Sequence, residues 1–376
     1  MIINIKRIIY NNKINKRING KRRIGYNEIM ITSKYFNDIK DFINLEIGVK
    51  RFQGNMERFH FNPIPLNEYS RKLFPNIETF HNYNKYDEEF DDGRIFKEII
   101  WYLVDYSTYL KEKEAGNICK NIEYTGDDRY KYGTTMPPEV KIIGNGCFSD
   151  CYKLTTINIP SSITSIGNLC FYRCSSLQSI NIPSTIRLIG INCFYECSSL
   201  TNINIENVKY ISEEKIIINE PILVSISIPE HLKMINGKNY IKEDINKFTI
   251  PSTITSIGCG CFYECSSLTT INIPSSITSI GGGCFWGCSS ITTINIPSSI
   301  RLIGNNCFYE CSSLQSINIP SSITSIGNDC FYKCSSLTTI NIPSTITSFG
   351  RSCFYGCGCV EELTQNKRIP IECFDN

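Results

Sequence analysis

The sequence predicts an α/β solenoid preceded by a small helical cap, and three observations carry that prediction. A 23-residue unit recurs, with its clearest copies at Ile159 to Asn181 and Ile182 to Asn204, then five in direct succession from Ile250. Repetition at that period marks a stacked architecture. Written from Ile159, the unit reads IPSSITSIGNLCFYRCSSLQSIN, with apolar residues at Ile159, Ile163, Ile166, Cys170, Phe171, Cys174, Leu177 and Ile180. One copy has nothing to bury them against, whereas stacked copies cover one another's apolar edges. Ahead of the repeats, apolar residues between Glu28 and Phe59 recur mostly at intervals of three and four, the spacing of a helix face.

Taken in order, residues 1 to 27 are rich in Ile, Asn, Lys and Arg, and this composition predicts a disordered basic extension. Residues 28 to 135 form the expected cap. Within it Ile29, Tyr35, Phe36, Ile39, Phe42, Ile43, Ile47, Phe52, Met56 and Phe59 form the helical pattern, and Asn37 or Asp38 is placed to cap a second helix. Pro63 and Pro65 break helix; a strand is expected at Glu78 to His81, a helix near Thr108 to Ala115 and a strand near Ile122 to Tyr124. The coil thus starts before the regular units do. The array runs from 136 to 364. Its segment 205 to 249 loses the Cys-Phe signature, but LVSISIP from Leu223 and INKFTIP from Ile245 keep the spacing L-x-x-I-x-I-P, so two degenerate turns with an uninterrupted sheet are expected. Residues 365 to 376 form the C-terminal end, where Gln365 and Asn366 replace the usual Ile-Pro as a polar cap to the stack.

Each position in the unit has an expected task. Around Ser179 to Ile182, period-two alternation turns Ile180 and Ile182 inward and Asn181 outward, and Pro183 ends the strand by removing a donor. Gly167, Gly190, Gly258, Gly281, Gly304, Gly327 and Gly350 are expected to supply a positive φ at the corner. Phe171 and its equivalents should stack as a buried column. Phe285 belongs in it between Phe262 and Phe308, with Trp286 partly exposed.

Composition narrows the function. Net charge is +2, yet residues 1 to 28 hold +7, leaving −5 for the rest, so the body is no polyanion binder and no nucleic-acid stripe appears. Sixteen of the 20 cysteines fall in eight C-x3-C pairs locked to the repeat. Such pairs share one face of a turn and suit metal, but their spacing is the solenoid's own, so the packing reading is preferred: small buried hydrophobes, with no metal and no cofactor. Cys119, Cys259, Cys359 and Cys373 lie outside the pairs and are expected to be the exposed ones. His60, His81 and His231 share no metal or triad spacing, and no phosphate loop is present, so no enzyme is expected. There is no signal-peptide pattern, no membrane-span pattern and no N-x-Ser/Thr sequon; a cytoplasmic, reducing setting is expected, with a cell-surface location as the alternative.

The pattern IPxSITSIGxxCFxxCSSLxxIN resembles the BspA-like type of leucine-rich repeat. That resemblance implies a right-handed coil with one short parallel strand per turn and irregular or short helical structure opposite, and it implies adhesion or protein binding rather than catalysis. Equivalent residues on neighbouring turns then form ladders on the strand face: Asn158, Asn181, Asn204, Asn272, Asn295, Asn318 and Asn341, flanked by Thr156, Ser179, Asn202, Thr270, Thr293, Ser316 and Thr339. These ladders either satisfy one another or face a partner, as solenoid surfaces do. Variation concentrates instead at Arg173, Glu196, Glu264, Trp286, Glu310 and Lys333, expected near the convex side.

The cap suggests a second function. Its segment NEIMITSKYFNDIKDFINLEIGVKRF is similar to an F-box through Glu28, Ile29, Tyr35, Phe36, Asp41, Phe42, Leu45, Val49, Lys50, Arg51 and Phe52, although the Leu-Pro opening of that motif is missing. The similarity implies a Skp-type adaptor docked through residues 28 to 60 and a substrate selected by the array for ubiquitination.

Overall fold

The computed structural model describes residues 36, 38–212, 214–219 and 221–375 and divides the chain into two units, 1–122 and 123–376. The basic extension and residues Glu28, Ile29 and Tyr35 of the F-box-like segment lie outside the described residues.

In the first unit, helix α1 (Ile39–Gly48) starts where Asp38 accepts a hydrogen bond from the Lys40 N–H at 2.8 Å. It buries Phe42 and Leu45. Phe42 meets Phe36, Phe59 and Phe74 edge-to-face at 4.7–5.7 Å, the geometry that ring quadrupoles favour. The Glu46 carboxylate reaches forward to the Met56 N–H at 2.8 Å and so fixes the loop behind the helix. Strand β1 (Thr79–Asn82) pairs in parallel with β2 (Lys97–Asp105), which the sequence reading did not anticipate, with Thr79 opposite Lys97. Helix α2 (Tyr106–Glu114) follows, capped by Asp105, and β3 (Ile118–Tyr124) begins in this unit. The expected strand, helix and strand are therefore present, the helix starting two residues early and β3 four.

In the second unit most regular turns contribute two short strands, not the single one expected, while the turns from Ile250 and Ile342 contribute one each, Ser256–Ile257 and Ser348–Phe349. The anticipated strands form one ladder: Thr156–Ile157, Ser179–Ile182 and Asn202–Ile205 pair in parallel, and Thr293–Asn295, Ser316–Asn318 and Thr339–Ile340 form a second arm. The Ser-Ile segment ahead of each glycine forms the other ladder, through Ile142–Ile143, Ser165–Ile166 and Leu188–Ile189 and later Leu302–Ile303, Ser325–Ile326 and Ser348–Phe349. On the third side the Cys-Phe segment is not helical, yet it too bonds turn to turn: the N–H of Phe171 donates to the Cys193 carbonyl and that of Phe285 to the Cys307 carbonyl, both at 2.9 Å. The phenylalanines stack as expected, with Phe262, Phe285, Phe308, Phe331 and Phe354 at 5.3–5.8 Å and within 7° of parallel. Trp286 is partly exposed.

The corner glycines work differently from the expectation. None of the seven has a positive φ. A Cβ on Gly190 would lie 2.2 Å from the Asn168 backbone nitrogen, and one on Gly350 would lie 2.2 Å from that of Asn328. Close approach of adjacent turns therefore selects glycine. Left-handed backbone occurs instead beside the Cys-Phe pair, at Leu169 and Arg173, Asn192 and Glu196, Asn306 and Glu310, and Asp329 and Lys333, while Gly287 and Gly356 fill the same place in other turns. Thus the variable positions other than Trp286 sit where the corner bends.

The degenerate segment does not carry an uninterrupted sheet. Strands Val208–Ile211, Lys215–Ile218 and Ile222–Ser227 run antiparallel, and only the start of the last rejoins the Ser-Ile ladder, with Leu223 opposite Ile257. Leu223 thus occupies the Ile166 position, not the Leu177 position that its spacing suggested. The other ladder ends in a hairpin, Met234–Ile235 with Lys238–Asn239, turned by Asn236 and Gly237 at positive φ, and resumes at Thr293. Strand Lys215–Ile218 is buried on both faces, so the insertion is a wall inside the stack. Ile245 holds its expected place in the core at 2 % exposure.

At the C-terminal end Phe374 stacks on Phe354 at 6.2 Å and Cys373 accepts the Phe354 N–H, so Cys373 and Phe374 mimic one more Cys-Phe step. The Arg368 guanidinium donates to the Pro343 and Ile346 carbonyls and caps the last turn.

Candidate functional site

Strand alternation places the predicted ladder residues outward, but the two arms differ. In the first, Asn181 and Asn204 are in register and the Asn204 amide donates to Asn181 at 2.7 Å, while Asn202 donates to Asn204 at 3.1 Å. Asn158 lies just past its strand and is exposed, as is Thr156. Thr270 and Asn272 fall where no strand forms. In the second arm, Thr293, Ser316 and Thr339 share one row, with Asn295 opposite Asn318 and Asn341 just beyond the last strand. A cleft of about 470 Å³ opens there between Ser316, Asn318, Thr339, Asn341 and Glu362.

The amide ladder that holds the turns together lies elsewhere. Asn145 accepts from the Asn168 N–H, Asn168 from the Ile191 N–H, Asn305 from the Asn328 N–H and Asn328 from the Arg351 N–H, all at 2.8–2.9 Å. The signal was legible as Gly-Asn at four of the corners, but the sequence reading gave these asparagines no role.

The cysteines have a similar internal task. The second thiol of a pair donates to the carbonyl of the phenylalanine 26 residues earlier: Cys174 to Phe148, Cys288 to Phe262 and Cys334 to Phe308 at 3.0 Å, and Cys311 to Phe285 at 3.1 Å. Donation requires the protonated thiol. Burial pushes Cys174, Cys197 and Cys265 up to about 12 and Cys284, Cys288 and Cys330 well above the ordinary thiol range. A protonated thiol is a weak nucleophile. Among the described residues no three His, Cys, Asp or Glu side chains gather as a metal site. Of the four unpaired cysteines, Cys259 is exposed and Cys119 half-buried, but Cys359 and Cys373 are buried, because the C-terminal segment folds over the last turn and carries both into its core.

Charged side chains at the variable corner positions pair from turn to turn, Arg173 with Glu196 at 2.8 Å and Lys333 with Glu310 at 3.3 Å. Beside the first pair, Tyr152, Ser175, Ser198 and His231 line a cleft of about 450 Å³. In the cap, Phe36, Phe42, Leu45 and Phe52 of the F-box-like set are committed to the first unit's own core, while Ile47 is 77 % exposed.

The repeat geometry matches a known pattern. Six copies of the BspA type leucine rich repeat region cover residues 132–243 and 233–361. The chain belongs to that family. No curated protein matches it. Among solved structures, this BspA-type chain is similar to a leucine rich cell surface protein from Faecalibacterium prausnitzii (25 % identity, 76 % of this chain and 75 % of that one, TM-score 0.42). It is similar also to a leucine rich repeat protein from T. pallidum (22 % identity, 63 % and 92 %, TM-score 0.32) and to the pneumococcal vaccine antigen PcpA (16 % identity, 73 % and 64 %, TM-score 0.37). Among the described residues of this BspA-type protein, no helix is long and apolar enough to cross a membrane.

Proposed function

We propose that the chain is a non-enzymatic scaffold whose strand face binds a protein partner through side-chain hydrogen bonds. One observation carries this reading: Thr293, Asn295, Ser316, Asn318, Thr339 and Asn341 are aligned across three turns, largely solvent-exposed, with side chains not hydrogen-bonded to one another. Residues that held the stack together would be satisfied within it, as Asn168 and Asn328 are. A row of fixed donors and acceptors costs little ordering entropy on binding, which favours an extended partner lying across the turns. Adaptor docking through residues 28 to 60 would need a face other than Phe42, Leu45 and Phe52, because those are already buried.

The test is affinity purification with the full chain and with a triple variant, Asn295→Ala, Asn318→Ala and Asn341→Ala, both shown to be folded. A specific partner retained by the parent and lost by the variant supports the reading. Identical partners for both, or capture of an adaptor alone, would exclude it.

A further inference from the structure

The first unit carries an aromatic surface that neither its core nor the strand-face reading uses. Strand β2 buries Ile100 and Val104 at 2 % and 5 % exposure, yet the alternate residues Trp101 and Leu103 are also large and apolar, at 40 % and 46 %. A sheet face turned to water ordinarily alternates to polar residues. Here the outward row continues sideways: the Phe61 ring stacks on His81 at 4.9 Å, His81 lies 5.8 Å from Trp101, and Tyr83 is parallel to Trp101 at 6.5 Å.

The surface is preformed. Asn62, fully buried, receives the His81 N–H on its side-chain oxygen at 2.5 Å and donates to the His81 carbonyl at 2.8 Å, and its own carbonyl accepts the Tyr83 hydroxyl at 2.9 Å. Aromatic side chains held in place before binding lose little freedom, and Trp and Tyr are the residues that dominate interface energetics.

Charge selects the partner. The Lys120 ammonium sits 5.8 Å over the Trp101 ring, and Lys97 is exposed at the start of the same strand. Two carboxylates lie nearby and keep their charge, Asp105 held by the Thr108 N–H and hydroxyl and Asp87 by the Tyr83 and Asn84 N–H groups, but it is the Lys120 ammonium that lies over the aromatic row. A polynucleotide would need a longer track of cations than two lysines provide.

We propose that the outer face of β1 and β2, centred on Trp101 and His81 and edged by Lys120, is a docking surface for an acidic polypeptide segment with apolar side chains between its carboxylates. This surface belongs to the first unit and does not depend on the asparagine face, so either can fail alone.

Trp101 and Trp286 are the only two tryptophans, so the full chain with Trp286→Phe reports on Trp101 by fluorescence. The probes are an alternating Glu/Leu peptide, its Lys/Leu counterpart and an oligothymidylate. Saturable binding of the acidic peptide below about 1 mM, weakened about tenfold by Lys120→Glu and in part by Lys120→Gln and by added salt, is the expected result. Circular dichroism of both variants checks that they remain folded. No saturable response to the acidic peptide, equal binding of the basic one, tighter binding of the oligothymidylate, or indifference to Lys120→Glu would each overturn the proposal.

Discussion

Raising the pH from 8 to 10 should unfold the array far more readily than loss of surface charge alone would allow. The perturbation acts on the buried thiols. Cys147, Cys174, Cys197, Cys265 and Cys307 are each pushed up to about 12 by burial, from an ordinary 9.0. Because the folded value lies above the unfolded one, their contribution to stability is fully present below pH 9 and is lost as pH rises toward 12. Each group forfeits on the order of 1 kcal/mol per pH unit in that window, so the five together remove roughly 5 kcal/mol or more by pH 10. That is comparable with the whole stability of a typical domain, about 5–15 kcal/mol. The assay is urea titration at pH 8, 9 and 10 with reductant present, followed by circular dichroism. The midpoint should fall steeply above pH 9, and replacing Cys174 and Cys197 with Ala should reduce the pH-dependent part by the contribution of those two thiols. A flat midpoint between pH 8 and 10, or a fall of the same size in the double variant, would show that the thiols are not the protonated donors described.

Three further outcomes test the geometry. Phe285→Ala should cost about 3–5 kcal/mol through lost burial and a cavity in the column, whereas Trp286→Tyr should cost less than about 1.5 kcal/mol; equal losses in denaturant titration would mean that the buried face is misplaced. Gly350→Ala, whose Cβ would meet backbone at 2.2 Å, should destabilise by about 2–3 kcal/mol. Gly304→Ala, with its nearest atom at 3.2 Å, should be milder, and the reverse order would argue against close approach as the cause. Burial and the charge of Lys120 hold His81 below its usual 6.5, so its stabilisation is present above pH 6.5 and declines as pH falls through that value; His81→Gln should flatten this acid-side slope, and an unchanged slope would remove His81 from the account.

Much of the architecture was legible because it is periodic. Phe171, Phe285 and their equivalents declared a buried column, and the alternation at Ile180, Asn181 and Ile182 declared a strand with one face out. Asp38 likewise announced its cap. What stayed hidden depended on distances between turns. Gly190 and Gly350 read as bend residues because glycine serves two purposes, and only the 2.2 Å approach separates them. The Ser-Ile ladder was missed because a two-residue strand such as Ser165–Ile166 has no alternation to display. Leu223 was misplaced for a different reason: LVSISIP fits the repeat spacing locally, but its antiparallel pairing with Lys215–Ile218 decides the register. The cysteine pattern was visible, but its cause, an S–H bond to a carbonyl 26 residues back, exists only in the stack.

The central claim is that the stack is held by its phenylalanine column, thiol donors and corner asparagines, which leaves the outward residues of the second arm free to bind. The most direct measurement is a urea titration of the triple variant Asn295→Ala, Asn318→Ala and Asn341→Ala beside the parent and beside Asn305→Ala with Asn328→Ala. The face variant should stay within about 0.5 kcal/mol per site of the parent, while the corner variant, which strips the acceptors from the Asn328 and Arg351 N–H groups, should lose about 0.5–1.5 kcal/mol per site. A face variant that melts as early as the corner variant would contradict the account.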